Sequence, residues 1–244
     1  MPSMMRRMRP LRHSERHFAS TDAIRDIILG MSDGLTVPFA LAAGLAAAFS
    51  NNMAVVIGGL AEIIAGAISM GLGGFLAAQS QVEHYMSELA REERETEETP
   101  GEERAEVWRI FRGYGLRGDA LERATDAVTA ERDAWVRFMM REELGLEEPP
   151  PDAALWSAAR IGGAYVAGGL IPLAPYLLPV TVGRALVMSS VVTLIALAGF
   201  GAVRGRYTGT PPLRGAFQTS VVGGAAAGVA FVCARLLSSF GGPV

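Results

Sequence analysis

Apolar residues fall along the chain in five long runs, at 24–49, 53–78, 153–177, 182–203 and 217–237. A bilayer core about 30 Å thick is crossed by roughly 20 mostly apolar helical residues, so each run is predicted to be a membrane-spanning helix. The first is the most interrupted, by Arg25, Asp26, Asp33 and Pro38. Ser32–Asp33–Gly34 together with Pro38 predicts a break in that helix. The competing reading is a set of buried helices in a large water-soluble core. Five such helices would need polar helices to cover them, and only the stretch 79–152 could supply any.

That stretch reads as helical in its own right. The second run continues through Tyr85 and Leu89 to Glu98, and Pro100–Gly101 breaks it. A short helix is predicted at 102–111, a turn at Gly113, Gly115 and Gly118, and a third helix at 120–144 carrying Leu121, Val128, Trp135 and Phe138. Pro149–Pro150–Pro151 ends the stretch. The predicted class is therefore an all-α, polytopic membrane protein with five transmembrane helices and a cytoplasmic three-helix insert between the second and third. The implied segments are 1–22 (basic, cytoplasmic), 23–78 (spans one and two), 79–152 (insert) and 153–244 (spans three to five).

Composition sharpens this division. Half of the residues are hydrophobic, only 19% are charged, and the net charge is −3. The insert holds 20 of the 25 acidic and 10 of the 22 basic residues, a net of −10, and the remainder carries +7. This excludes a disordered chain, a nucleic-acid binder relying on overall basicity, and a single water-soluble core. Every basic residue is Arg. The Arg-only, Ala-rich composition has a bacterial look. Cys233 is the only cysteine, so intrachain disulfides and thiolate clusters are excluded. No cleavable signal peptide is predicted.

Arginine placement predicts orientation. Arg6, Arg7, Arg9, Arg12 and Arg16 precede the first run, and Arg204, Arg206 and Arg214 link the fourth to the fifth. The links 50–52 and 174–181 carry no charge. Positive flanks stay cytoplasmic, which places the N-terminus and the insert inside and the C-terminus outside.

Two carboxylates fall where they are expensive. Asp33 and Glu62 each lie about ten residues into a run. Arg184 and Arg235 lie near the ends of theirs, so no basic partner is expected for either acid. A carboxylate in such surroundings takes up a proton or binds a cation, the chemistry of a proton-coupled cation carrier. Met70 follows Glu62 by eight residues, within about 80° of it around a helix. A thioether beside carboxylates suits a soft transition metal better than Mg²⁺ or Ca²⁺. Glycines are dense in the second and fifth runs, with Gly71, Gly73 and Gly74 predicting a close helix crossing or a flexible segment.

The insert repeats carboxylates at helical spacing: Glu92 and Glu95, Glu103 and Glu106, and Glu143 with Met139 and Met140 just before it. Residues three and four apart share a helix face. Three such faces turned inward would make a multi-carboxylate metal site with thioethers. Solvated Glu-rich helices with pairs such as Arg91–Glu95 are the plainer alternative. No Glu-x-x-His occurs, which disfavours a diiron oxidase. A chain without Lys has no phosphate-binding Gly-Lys loop, which disfavours an intrinsic ATPase.

The run Arg25–Asp26–Ile27–Ile28–Leu29–Gly30–Met31–Ser32–Asp33–Gly34–Leu35–Thr36–Val37–Pro38–Phe39–Ala40 resembles the first-span signature of the vacuolar iron transporter family. Ala61–Glu62 followed by Gly66–Ala67–Ile68–Ser69–Met70–Gly71–Leu72–Gly73–Gly74 resembles its second-span signature. The order of two spans, insert and three spans is also similar, over nearly the whole chain after about residue 20. The resemblance implies an Fe²⁺/H⁺ antiporter that is not an enzyme and works as a homodimer, with its path between subunits and lined by the first spans. It implies path residues Asp33, Glu62 and Met70. It also implies a metal-binding face of Glu92, Glu95, Glu103, Glu106, Met139, Met140 and Glu143. The expected cargo is Fe²⁺, with Mn²⁺, Zn²⁺ or Co²⁺ open on ligand chemistry alone, exchanged for H⁺ and with no tightly bound cofactor. The expected partners are metal ions, lipid and a second copy, not nucleic acid. The expected membrane is the inner membrane of a bacterium or the vacuolar membrane of a eukaryote. A membrane-anchored iron sensor or buffer is the alternative, and it would leave Asp33 and Glu62 dispensable.

Overall fold

The computed structural model describes residues 17–240, and over them the only regular secondary structure is helix, with no strand. The expectations for the basic N-terminal segment fall mostly outside these residues. Eight α-helices run in order: α1 (His17–Ala48), α2 (Asn52–Glu98), α3 (Pro100–Gly113), α4 (Gly118–Thr129), α5 (Arg132–Glu142), α6 (Ala153–Leu173), α7 (Val182–Tyr207) and α8 (Pro212–Phe240). A short 3₁₀ turn, Ala174–Leu177, follows α6. The chain forms two compact units, Gly73–Trp156 and the remainder, and α2 contributes to both. At 47 residues, α2 is roughly 70 Å long, more than twice a bilayer core.

Among the described residues, four helices are long and apolar enough to cross a membrane, within α1, α2, α7 and α8. Helix α6, which carries Arg160, is not among them. The large unit shows why lipid is the natural solvent. Its helices expose Ile57, Ile64, Ile68, Val191, Ile195 and Leu237 by half or more, and apolar residues all round a helix belong in a membrane.

The predicted break in the first run does not occur. Helix α1 passes through Pro38 unbroken. The proline is fully buried, and packing against neighbouring helices offsets the lost N–H bond. The Thr36 hydroxyl donates to the Ser32 carbonyl at 2.8 Å, one turn upstream.

Small residues set the helix order in this unit. A Cβ on Gly30 would lie 2.1 Å from the Ile161 carbonyl oxygen, and one on Gly34 2.3 Å from that of Tyr165. Only glycine lets the α1 and α6 backbones approach so closely. The paired positions rise together along both helices, so α1 and α6 run parallel. Gly59, Gly66 and Gly71 of α2 meet Leu173, Tyr165 and Ala158 of α6, so α2 runs antiparallel to it. The expected close crossing thus holds at Gly71, while the Cβ position of Gly73 is open. Helices α7 and α8 are antiparallel, with Gly201 against Gly215 and Leu197 against Gly223. Buried Ala42, Val55, Val56, Tyr176 and Ala185 form one core cluster, and Phe39, Ala43 and Ala227 another.

The smaller unit corrects the predicted helices. Pro100 begins α3 rather than merely ending α2, because a proline at the first helical turn gives up no bond. The third predicted helix, 120–144, is two helices, α4 and α5, separated at Ala130–Glu131. Glu131 is extended, with φ −121° and ψ 117°. The break lets Trp135 and Met139 turn into a core with Val107, flanked by Phe111, Val128 and Phe138. Arg104 of α3 reaches Glu122 and Asp126 of α4, and Arg132 of α5 reaches Glu97 of α2.

Candidate functional site

Two groups of carboxylates stand out, one in each unit. In the smaller unit three helices converge. Glu92 projects from α2, Glu103 from the first turn of α3, and Glu143 caps the end of α5. One carboxylate oxygen from each lies within 4.8 Å of the other two. Glu92 and Glu103 are buried, at 1% and 6% exposure, and each has an Oε2 without a hydrogen-bond partner. A buried oxygen left in this way is costly, and Glu143, exposed at the end of α5, adds a third carboxylate that repels the other two. A divalent cation would relieve both costs.

The electrostatics agree with the geometry. Burial, reinforced by Glu92, Glu106 and Glu95, pushes the Glu103 carboxyl up to about 7. Burial and the charges of Glu106 and Glu92 push Glu143 up to about 7 as well. Glu92 is also raised by burial, against the pull of Arg91, whose Nη2 lies 3.4 Å from its Oε1.

The other expected members of this face sit around the three. Glu106 lies beside Glu143 and accepts from Arg109 at 2.7 Å. Glu95 is held at 3.4 Å by Arg91. Met139 and Met140 are buried, at 0% and 2% exposure, and Met139 packs on Val107 and Trp135. Of the seven predicted positions, the carboxylates of Glu92, Glu103 and Glu143 form the tight cluster.

In the larger unit Glu62 is half-buried on α2. Its Oε1 accepts a hydrogen bond from the Tyr165 hydroxyl of α6. Its Oε2 is buried without a hydrogen-bond partner. Met70 is half-buried two turns further along α2, and Asp33 is exposed on the surface of the single chain. Asp33 adjoins Gly34, whose backbone abuts that of Tyr165.

Two features went unnoticed in the sequence. Tyr165 is the polar partner of Glu62, and a lone phenol in a Gly-rich apolar helix was the available signal. The other is a basic residue well inside the third run, contrary to the expectation of none. Arg160 lies 3.8 Å from Asp26, which is 2% exposed and also 3.6 Å from Arg25. Asp26 is one of the charges that interrupt the first run. In the structure it is a buried carboxyl between α1 and α6, beside Arg160 and Arg25.

Known proteins resemble this chain over most of its length. The chain is 50% identical over 227 residues to "Vacuolar iron transporter 2" of Oryza sativa subsp. japonica, covering 93% of this chain and 92% of that one. It is 49% identical over 225 residues to "Vacuolar iron transporter 1" of Arabidopsis thaliana, covering 92% and 90%. It is 38% identical over 231 residues to "Protein CCC1" of Saccharomyces cerevisiae, covering 90% and 71%. The profile of the VIT family matches residues 24–235. With the signature segments of α1 and α2 inside that match, the chain is an integral membrane protein of the VIT family, a family of transporters rather than enzymes.

Proposed function

We propose that this protein is a proton-coupled Fe²⁺ antiporter that exports iron from the cytoplasm. The observation that carries the reading is the pairing of two features in one chain. One is the Glu92, Glu103 and Glu143 cluster with its orphaned oxygens. The other is Glu62, a carboxylate within an apolar helix that also leaves one oxygen unpaired. The names of the relatives supply the metal.

The proposed architecture has five spans, in α1, the first part of α2, α6, α7 and α8, with 79–152 as a cytoplasmic domain. Arg160 lowers the hydropathy of α6, and its pairing with Asp26 offsets that cost. The parallel packing of α1 and α6, with α2 antiparallel to both, favours this alternation. The arginines at the end of α7 and the start of α8 favour a cytoplasmic side there.

In the proposed cycle the local charge of −10 raises the metal concentration near the cytoplasmic domain. Glu92, Glu103 and Glu143 hold Fe²⁺, with Glu95, Glu106 and the thioethers of Met139 and Met140 around them. The metal then passes to Met70, Glu62 and Asp33. Protons moving down their gradient occupy the carboxylates and displace it on the far side. Two copies, with their first spans facing, would enclose the path. The far side is the periplasm in a bacterium and the vacuole lumen in a eukaryote. A buffer or sensor would use the same three glutamates but gain nothing from Glu62. Reconstituted vesicles separate the two readings, because loss of Fe²⁺ flux in Glu62→Gln with metal binding retained fits transport alone.

A further inference from the structure

The Tyr165 side chain is 2% exposed, although it lies midway along an apolar helix and ends in a hydroxyl. That hydroxyl donates to Glu62 Oε1. The ring lies against Gly66, one turn beyond Glu62 on α2. A Cβ at Gly66 would stand 2.4 Å from the hydroxyl oxygen and 2.5 Å from the carbon that bears it. The Tyr165 backbone is just as confined on its other side, where a Cβ at Gly34 would meet its carbonyl oxygen at 2.3 Å. Tyr165 is thus wedged between the helix that carries Asp33 and the helix that carries Glu62.

We infer that Tyr165 is a positioning residue for transport, which clamps the Glu62 carboxylate so that Oε2 alone faces the cation or proton. The inference rests on the transport reading of Glu62. A phenol donating to one oxygen fixes the rotation of the carboxylate. It occupies one oxygen and leaves the other, which has no hydrogen-bond partner, for the incoming ligand. Without the donor the carboxylate is free to turn about its last torsion, so Oε2 is no longer held in one direction for the incoming ligand. Metal affinity should then suffer more than the maximal rate.

The test is Fe²⁺ uptake by the full chain in proteoliposomes, comparing native protein, Tyr165→Phe and Gly66→Ala. Tyr165→Phe keeps the ring against Gly66 and removes only the hydroxyl. Gly66→Ala is the second variant, since its methyl would push the hydroxyl aside while leaving both partners chemically intact. The expected result is a KM raised about tenfold or more, the size expected for a lost bond to a charged group, with kcat changed much less. Native kinetics in a folded Tyr165→Phe, or a fall in kcat at unchanged KM, would each overturn the clamp. Native protein that moves no Fe²⁺ would overturn the transport reading and the clamp with it.

Discussion

Asp26 on α1 and Arg160 on α6 lie 3.8 Å apart, and the aspartate is 2% exposed. Asp26 lies one turn before Gly30 and Arg160 immediately before Ile161, the two positions where the backbones touch. Removing one partner of a buried pair costs up to about 3–5 kcal/mol, because the other charge is left stranded. The Arg160 side chain is 31% exposed and Arg25 stays 3.6 Å from Asp26, so the cost here falls below that ceiling. Arg160→Met should lower the thermal midpoint in detergent by several degrees. The double variant Asp26→Asn, Arg160→Met should recover much of the loss. An additive double variant would show that the two residues do not act as a pair.

The α1–α6 seam itself predicts a sharper effect. A methyl at Gly30 would fall 2.1 Å from a backbone oxygen, which no rotamer change relieves. Gly30→Ala should therefore abolish folded protein or leave it unable to transport. Gly183→Ala has open space around the new methyl and should behave as native. Size-exclusion profiles in detergent distinguish the two.

The glutamate cluster makes stability and metal binding depend on pH in opposite senses. Glu103 and Glu143 have carboxyls raised to about 7, above the ordinary value of 4.5, chiefly by burial. Between those two pH values the folded, metal-free protein binds more protons than the unfolded chain. Its stability must therefore fall as pH rises through that window. Glu103→Gln should flatten the dependence. Metal binding needs the ionised carboxylates, so affinity should rise from pH 6 to pH 8 and binding should release protons. Calorimetry in buffers of different ionisation enthalpy measures that release.

Met139 separates ligation from packing. It is completely buried against Val107 and Trp135. Met139→Ala should cost about 2–5 kcal/mol through the cavity it leaves. Met139→Leu preserves volume and should cost less than about 1.5 kcal/mol. If the thioether helps hold the metal, the leucine variant will bind Fe²⁺ several-fold more weakly at near-native stability. Unchanged affinity would assign Met139 to the core alone.

Hydrophobic runs and local breakers made most helices legible. Pro100 and the Gly113, Gly115 and Gly118 cluster marked real boundaries, with Gly115 and Gly118 at φ +96° and +54°. Two local rules misled. Pro38 lies inside α1 because tertiary packing outweighs its propensity. The α4–α5 boundary at Ala130–Glu131 contains neither Gly nor Pro, so helix 120–144 read as continuous. Spacing brought forward Glu92, Glu103 and Glu143 because each lies at a helical interval from another acid or a methionine. It did not reveal that these three converge while Glu95 and Glu106 turn to Arg91 and Arg109. The Tyr165–Glu62 and Arg160–Asp26 pairs join residues more than 100 positions apart. No periodicity within one helix reports a partner on another.

The most direct test is Fe²⁺ uptake into proteoliposomes carrying a pH gradient, with native protein and Glu62→Gln side by side and Mn²⁺, Zn²⁺ and Co²⁺ as competing cargo. Uptake that requires the gradient, moves protons in the opposite direction and is lost in Glu62→Gln is the predicted result. Native-rate Fe²⁺ transport by Glu62→Gln against the gradient would contradict it.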